Sequence, residues 1–436
     1  MAHFGSSGQN ARVHPSPLTP AGATVFLNAH ASTPLDPRVE PCVLAWSRHP
    51  GNASSPDPYG VEALAMVQHA RGRVAALLGC EADEVIFTSG ATQANNLALR
   101  GVLGACARRG DARGRPHAVV SAIEHSSVLE CAKAGAHTVV PVDGRGVVDP
   151  QAVARALTPE TRLVSVMLAN NEVGTIQPIA EIVRAVRSLA ARAGMPVLVH
   201  VDAAQGFGRL PFNVRALDVD LATLSGHKVY GPRGIGVLYV RRGVDLAPVL
   251  LGGSQERGLA PGTINSAGIA GMVAAAELAV QGADAENARL GTLRGRLLDR
   301  IVEGLGADVV HVNGAWGTGL RLPHNLHVTL LGCCPEAVHH ALAQEVAVSA
   351  AAACKAGKGS SHVLAAMGAP DTQQGAPIRF GLSRFTTPEE IERAADAVVR
   401  IGRQTLGQGC ATASGGASGT SASSCPGGVC PMPAKR

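Results

Sequence analysis

Short, wholly apolar runs separated by longer segments of helical period narrow the choice of fold more than any other feature of this sequence. They extend from Thr24 to about Val240. Candidate strands are 85–88, 118–121, 163–167, 197–201, 221–224 and 235–240; candidate helices are 62–78, 92–107, 126–134, 178–193 and a short 206–211. None of these strands alternates polar with apolar residues, so each is expected to be covered on both faces. Such strands, interleaved with helices, predict an α/β fold built on a mostly parallel sheet.

The pattern changes after a long helical stretch at 266–304. Strands at 325–330 and 378–382 and helices at 335–344 and 388–403 fit a smaller α+β domain. The expected division is a loose Pro/Gly/Ser/His-rich arm (1–23), a large domain (24–285), a small domain (286–407) and a disordered Gly/Ser/Ala/Thr-rich tail (408–436). Hydrophobic residues are 46% of the chain and charged residues 16%, enough to bury a large core. No apolar run approaches the roughly 18 residues that cross a bilayer, so no membrane association is expected. The net charge of +5 comes from 38 basic and 33 acidic residues, spread thinly, which argues against nucleic acid as a partner. Ten cysteines in 436 residues are too few for a disulfide scaffold. A reducing compartment, the cytoplasm, is expected, with organelle import as the alternative because the first 35 residues hold no Asp or Glu.

The most informative stretch is LATLSGHKVYGPRGIG (221–236), where a strand ends in Ser225, Gly226, His227 and Lys228. A lysine held out of water at a strand mouth is a nucleophile suited to forming an imine with a carbonyl cofactor. Taken singly, Lys228 also fits a surface lysine. Residues 87–92, FTSGAT, form a strand, a tight turn and a helix start that would aim backbone N–H groups at a phosphate; an ordinary N-cap is the alternative. In HVDAAQ (200–205), Asp202 stands at another strand end and could hold a pyridine nitrogen protonated, or simply cap a helix. No dinucleotide fingerprint follows the first strand, no G-x-S-x-G elbow occurs, and no His/Cys spacing suits a metal.

These stretches together resemble the class V aminotransferase-fold enzymes that use pyridoxal 5'-phosphate, specifically cysteine desulfurases and selenocysteine lyases. The resemblance runs from about Val25 to Leu406 and rests on HASTPLDPRV (30–39), FTSGATQANNLAL (87–99), IEHSSVL (123–129), MLANNEVGTIQPI (167–179), HVDAAQGFGRLP (200–211), SGHKVYGPRGIG (225–236), GGSQERGLAPGT (252–263) and IRFGLSRFTT (378–387). MLANNE and PVLVHVDAAQ look slightly nearer the selenocysteine lyase branch. The resemblance implies a fold type I architecture with a seven-stranded-type sheet. It also implies that Lys228 carries the cofactor and moves the substrate α-proton, that Asp202 pairs with the ring nitrogen, and that His125 stacks on the ring and acts in catalysis as a proton shuttle. Asn171 and Gln205 would bond the phenolic-oxygen side, Ala91, Thr92, Ser225 and His227 would hold the phosphate, and Arg379, helped by Asn171, would clamp the substrate carboxylate. Thr263 would reach the phosphate of a neighbouring subunit, implying a homodimer with shared sites.

Cys354, flanked by Ala and Gly and followed by Lys355 and Lys358, aligns with the family's nucleophilic thiol. The implied reaction releases sulfur or selenium from L-cysteine or L-selenocysteine, leaves L-alanine, and passes the chalcogen through Cys354 to an acceptor protein. The GGVCPMP segment (427–433) resembles, over few residues, the Cys-Pro-x-Pro motif of small sulfur carriers. Cys430, with Cys425 and Cys410, is therefore a candidate internal acceptor, against a tail with incidental thiols. Five features depart from the family: Asn28 for Asp, Asp57 for His, Gln93 for Glu, Ala260 for Arg, and the alanine run before Cys354. Two other readings stay open on sequence: a different class V enzyme, such as an aminotransferase, with Cys354 idle, and a non-catalytic sulfur-carrier scaffold.

Overall fold

The computed structural model describes residues 24–108, 114–350 and 361–407. The arm, the 351–360 stretch with Cys354, and the tail with Cys410, Cys425 and Cys430 lie outside the described residues.

The chain begins with a two-residue strand, β1 (Val25–Phe26), then helices α1 (Glu40–Arg48) and α2 (Pro58–Leu78). Strand and helix then alternate: β2 (Val85–Thr88), α3 (Ala91–Arg108), β3 (His117–Ser121), α4 (Ser126–Lys133), β4 (Ala136–Val140), α5 (Pro150–Arg155), β5 (Thr161–Ser165), α6 (Ile179–Arg192) and β6 (Leu198–Asp202). β7 (Leu221–Ser225) and β8 (Gly236–Val240) close this region, and α7 (Ser266–Gln281) and α8 (Ala283–Leu305) lead away from it. The remainder is β9 (Val310–Val312), β10 (Asn325–Leu331), α9 (Pro335–Leu342), β11 (Val346–Ala347), β12 (Ser349–Ala350), α10 (His362–Met367), β13 (Gly375–Gly381) and α11 (Pro388–Thr405).

Seven strands form the central sheet in the order β2-β8-β7-β6-β5-β3-β4, and β8 alone runs antiparallel to its neighbours. Every residue of β2, β3, β5, β7 and β8 is buried, because helices cover both faces. One apolar core packs α2, α6 and α7 on one side, and a second packs α3 and α4 on the other. A four-stranded antiparallel sheet, β12-β13-β10-β9, carries the smaller core with α8, α9 and α11. No single described helix is both long and apolar enough to cross a membrane.

Three differences from expectation have local causes. The helix expected at 206–211 is a run of turns, because Gly208 takes a φ of +73°, where an α-helix cannot continue. The stretch 266–304 is two helices meeting at Gly282 with a 72° bend. Val25 and Leu27 pack into the smaller core, and β1 pairs in parallel with β11, although residues from 24 onward were assigned to the large domain. The 27–36 segment therefore straps the two units together and touches the residues that follow the ends of β6 and β7.

Candidate active site

Lys228 ends a single 3-10 turn, Gly226–Lys228, that follows β7. A Cβ on Gly226 would lie 2.8 Å from Ile235 Cγ2 and 2.9 Å from the Pro232 carbonyl oxygen, so the turn folds this tightly only around glycine. Two residues on, Tyr230 holds a φ of +66°, a strained value for a bulky residue, while its N–H donates to Thr33 Oγ1 at 2.9 Å. The strap grips this turn at several points. Thr33 donates through both N–H and Oγ1 to the His227 carbonyl, and His227 Nδ1 lies 3.2 Å from Ser32 Oγ. The Lys228 ammonium donates to the carbonyls of His30 and, at 2.9 Å, Ala31.

On the adjacent strand, Asp202 is the last residue of β6 and is 6% exposed. Its Oδ1 accepts the Ala204 N–H at 3.0 Å, and its Oδ2 accepts from Asn95 Nδ2 at 2.7 Å. His125 is the N-cap of α4, and its Nδ1 accepts the Ser127 N–H. Burial pushes the His125 imidazole below its ordinary pKa; the Asp202 carboxylate opposes that shift and the Lys228 ammonium adds to it. An acid, an amine and an uncharged imidazole thus share one neighbourhood.

Strand register completes a cradle. Gly236 pairs with Thr88 on one side and Ser225 on the other, so the 88–92 turn and the end of β7 flank the start of β8 at one level. Helix α3 starts at Ala91 and Thr92, presenting first-turn N–H groups and the positive end of its dipole. Space is open beside Gly90, whose φ is +140°. Gln93 Oε1 accepts the Ser89 N–H at 2.7 Å, the same capping job a glutamate would do. His227 is pushed down to about 4, first by burial and then by the charges of Lys228 and Arg233, so it is neutral at physiological pH.

Gln205 pairs with His30 twice: its Oε1 lies 3.0 Å from His30 Nδ1, and its Nε2 donates to the His30 carbonyl at 3.1 Å. Arg379, on β13 and 4% exposed, donates to the Asn171 carbonyl at 2.9 Å and to Asn28 Oδ1 at 3.3 Å. His30 lies among these charges: burial, Arg379 and Lys228 all push its pKa well below the ordinary value. Thr263 lines a cleft of about 130 Å³ with Thr88, Ser89, Gln93 and Ala260, and that lining does not include Lys228, Asp202 or His125.

The sequence reading assigned no role to His30, Ser32, Thr33, Asn95 or Ser127. Their signal lies in the motifs HASTPLDPRV (30–39), FTSGATQANNLAL (87–99) and IEHSSVL (123–129), which contain all five residues. Which of their residues meet Lys228 and Asp202 depends on contacts 107 to 198 residues apart.

The donor set fits pyridoxal phosphate. It holds an amine for the aldehyde, a buried carboxylate for the ring nitrogen, an imidazole for the ring face and a helix N-terminus for the phosphate. Fold and site together define the class: fold type I enzymes dependent on pyridoxal phosphate. The pattern of the Aminotransferase class-V family matches residues 25–394. Cysteine desulfurase IscS of Anaeromyxobacter dehalogenans is 43% identical over 380 residues, 85% of this chain and 90% of that one. The mitochondrial cysteine desulfurase of Drosophila melanogaster is 39% identical over 391 residues, 87% of this chain and 81% of that one. A solved NifS-like protein superposes with a TM-score of 0.78 at 33% identity, covering 87% of this chain and 99% of the other. The chain belongs to the aminotransferase class-V family, whose desulfurase members use pyridoxal phosphate.

Proposed function

We propose that this protein is a cysteine desulfurase: it takes sulfur from L-cysteine, leaves L-alanine, and passes the sulfur to an acceptor. The observation that carries this reading is Lys228, held at the mouth of β7 beside Asp202 and His125 in a chain so similar to desulfurases. Bound pyridoxal phosphate supplies an electron-withdrawing ring that stabilises negative charge at the substrate α-carbon.

The protein's own groups do the rest. Lys228 Nζ holds the cofactor and carries the α-proton. Asp202 keeps a proton on the ring nitrogen, and its contact with Asn95 leaves the carboxylate an acceptor. His125 would cover the ring face as a neutral imidazole. Gln205 and Asn171 would flank the phenolic oxygen, while Ala91, Thr92, Ser225 and His227 would take the phosphate. Arg379 binds the substrate carboxylate as a two-pronged donor. The Cys354 thiolate, by its resemblance to the family nucleophile, attacks the substrate sulfur: an S–S bond forms, the Cβ–S bond breaks, and the thiol proton ends on alanine. Cysteine and a thiolate become alanine and a persulfide with no outside oxidant or reductant.

Sulfur rather than selenium is the substrate element we favour, because the relatives described above are named for cysteine. The protein is expected to work as a homodimer in the cytoplasm, with Thr263 reaching the partner's phosphate. The tail thiol Cys430 is an internal sulfur acceptor in this reading, and removing residues 409–436 should slow sulfur transfer out of the protein. The deciding assay supplies cysteine without any keto acid. Stoichiometric alanine and persulfide support a desulfurase; turnover that requires a keto acid identifies an aminotransferase instead. Selenocysteine competing in the same assay sets the element preference.

A further inference from the structure

Asn95 enters the chemistry just described only as a neighbour of Asp202, yet its placement is costly. It is fully buried in the second turn of α3, where asparagine is a poor helix former. Its Oδ1 is buried without a hydrogen-bond partner among the described residues. The Nδ2 group, by contrast, spends both hydrogens: one on Asp202 Oδ2 at 2.7 Å and one on Ser127 Oγ at 2.8 Å. Turning the amide over would put Oδ1 against the Asp202 carboxylate, so charge fixes which way it faces.

That orientation propagates. Ser127 Oγ accepts from Asn95, so its own hydrogen is free to point at His125 Nδ1, 2.8 Å away. The same Nδ1 already accepts the Ser127 N–H. With the one lone pair of Nδ1 shared between these two donors, the single proton of a neutral His125 sits on Nε2. The amide thereby sets the orientation of the acid and reinforces the tautomer that the Ser127 N–H already favours.

We propose that Asn95 is a positioning residue that ties Asp202 to His125 through Ser127, aiming the carboxylate at the ring nitrogen and holding His125 as the Nε2–H tautomer. The inference rests on the roles given above to Asp202 and His125. The charged groups facing His125 are Asp202 from β6 and Lys228 from the turn after β7; Arg100 of α3 and Glu130 of α4 line the cleft beside it.

The test compares holoenzymes of wild type, Asn95→Leu, Ser127→Ala and Asp202→Ala. Cofactor retention in equilibrium dialysis and the pH dependence of the cofactor's visible band are both recorded. Asn95→Leu should hold the cofactor about tenfold more weakly, the effect of losing one hydrogen bond to a charged acceptor. Its band should also gain a pH transition absent from wild type, because the His125 tautomer beside Asp202 is no longer fixed, at a position still set first by burial of the ring. Ser127→Ala should gain the same transition while retaining cofactor like wild type. If Asp202→Ala loses cofactor but Asn95→Leu matches wild type in both readouts, Asn95 has no positioning role and the reading of Asp202 stands. If Asp202→Ala retains cofactor fully, the underlying reading fails instead. Should Asn95→Leu not fold, an unchanged pH profile in Ser127→Ala overturns the coupling and a new transition supports it.

Discussion

Glu124 precedes His125 in the chain and shows what this site costs the fold. It is fully buried; its Oε1 accepts from Ser121 Oγ and, at 2.8 Å, from the Met167 N–H. Burial raises its carboxyl to about 8, with the Asp202 charge adding to the shift and the two hydrogen bonds opposing it. Between the ordinary carboxylate range and about 8, the folded protein holds a proton there that the unfolded chain has lost. Stability contributed by this group therefore falls as pH rises through that window. Glu124→Gln, which imitates the protonated acid, should flatten the decline: its urea midpoint should gain on wild type between about pH 5 and about pH 9. Midpoints that fall in parallel would remove Glu124 as the cause. Asn28 is a departure that resolves at this scale too. As a neutral amide it accepts from Arg379 without adding a charge of its own.

The turn beside β2 depends on how closely two elements approach. A Cβ on Gly236 would lie 2.7 Å from Gly90 Cα and 2.7 Å from the Leu224 carbonyl oxygen, both backbone atoms with little room to yield. Gly236→Ala should displace the 88–92 turn and weaken cofactor binding by about tenfold or more, at a stability cost of about 1–3 kcal/mol from overpacking. Cofactor titration together with urea melts separates the two effects, and unchanged affinity would mean that this turn is not the phosphate cradle. Asp57, where histidine is common in the family, is the N-cap of α2 and accepts the N–H groups of Tyr59 and Gly60 at 3.0 Å. Its local task is helix initiation. At this scale the sequence was readable where pattern is local: β2, β7 and α11 follow from apolar runs and a Thr387–Glu390 capping box. Strand β4 was missed because it is a half-exposed sheet edge, and α1 because none of its residues is buried.

Across the whole molecule, a buried charge network joins the strap, the large unit and the small one. Arg384, 9% exposed and just beyond β13, pairs with Asp36 at 2.6 Å and with Glu286 of α8 at 3.0 Å, and it stacks 3.9 Å from the Tyr230 ring centroid. Arg209 meets the same Glu286 at 2.7 Å. Arg384→Ala takes one of two arginine partners from each carboxylate, leaving Asp36 with Arg38 and Glu286 with Arg209, and should cost about 1.5–3 kcal/mol in denaturant melts; a loss below about 0.5 kcal/mol would show that the units do not depend on it. None of this network was legible in the sequence, because its members are separated by up to 348 positions and each charge alone reads as surface. Lys228 and Asp202 were legible because one closes the turn after an apolar strand, the other ends one, and both fall in motifs shared with the family, whereas His30 and Asn95 gain meaning only when the strap and α3 fold against those strand ends. The account stands or falls on the lysine. Borohydride reduction of the cofactor-loaded protein, followed by peptide mapping, should attach the cofactor to Lys228 alone. Attachment to another lysine, or no stable adduct, would contradict the site described here.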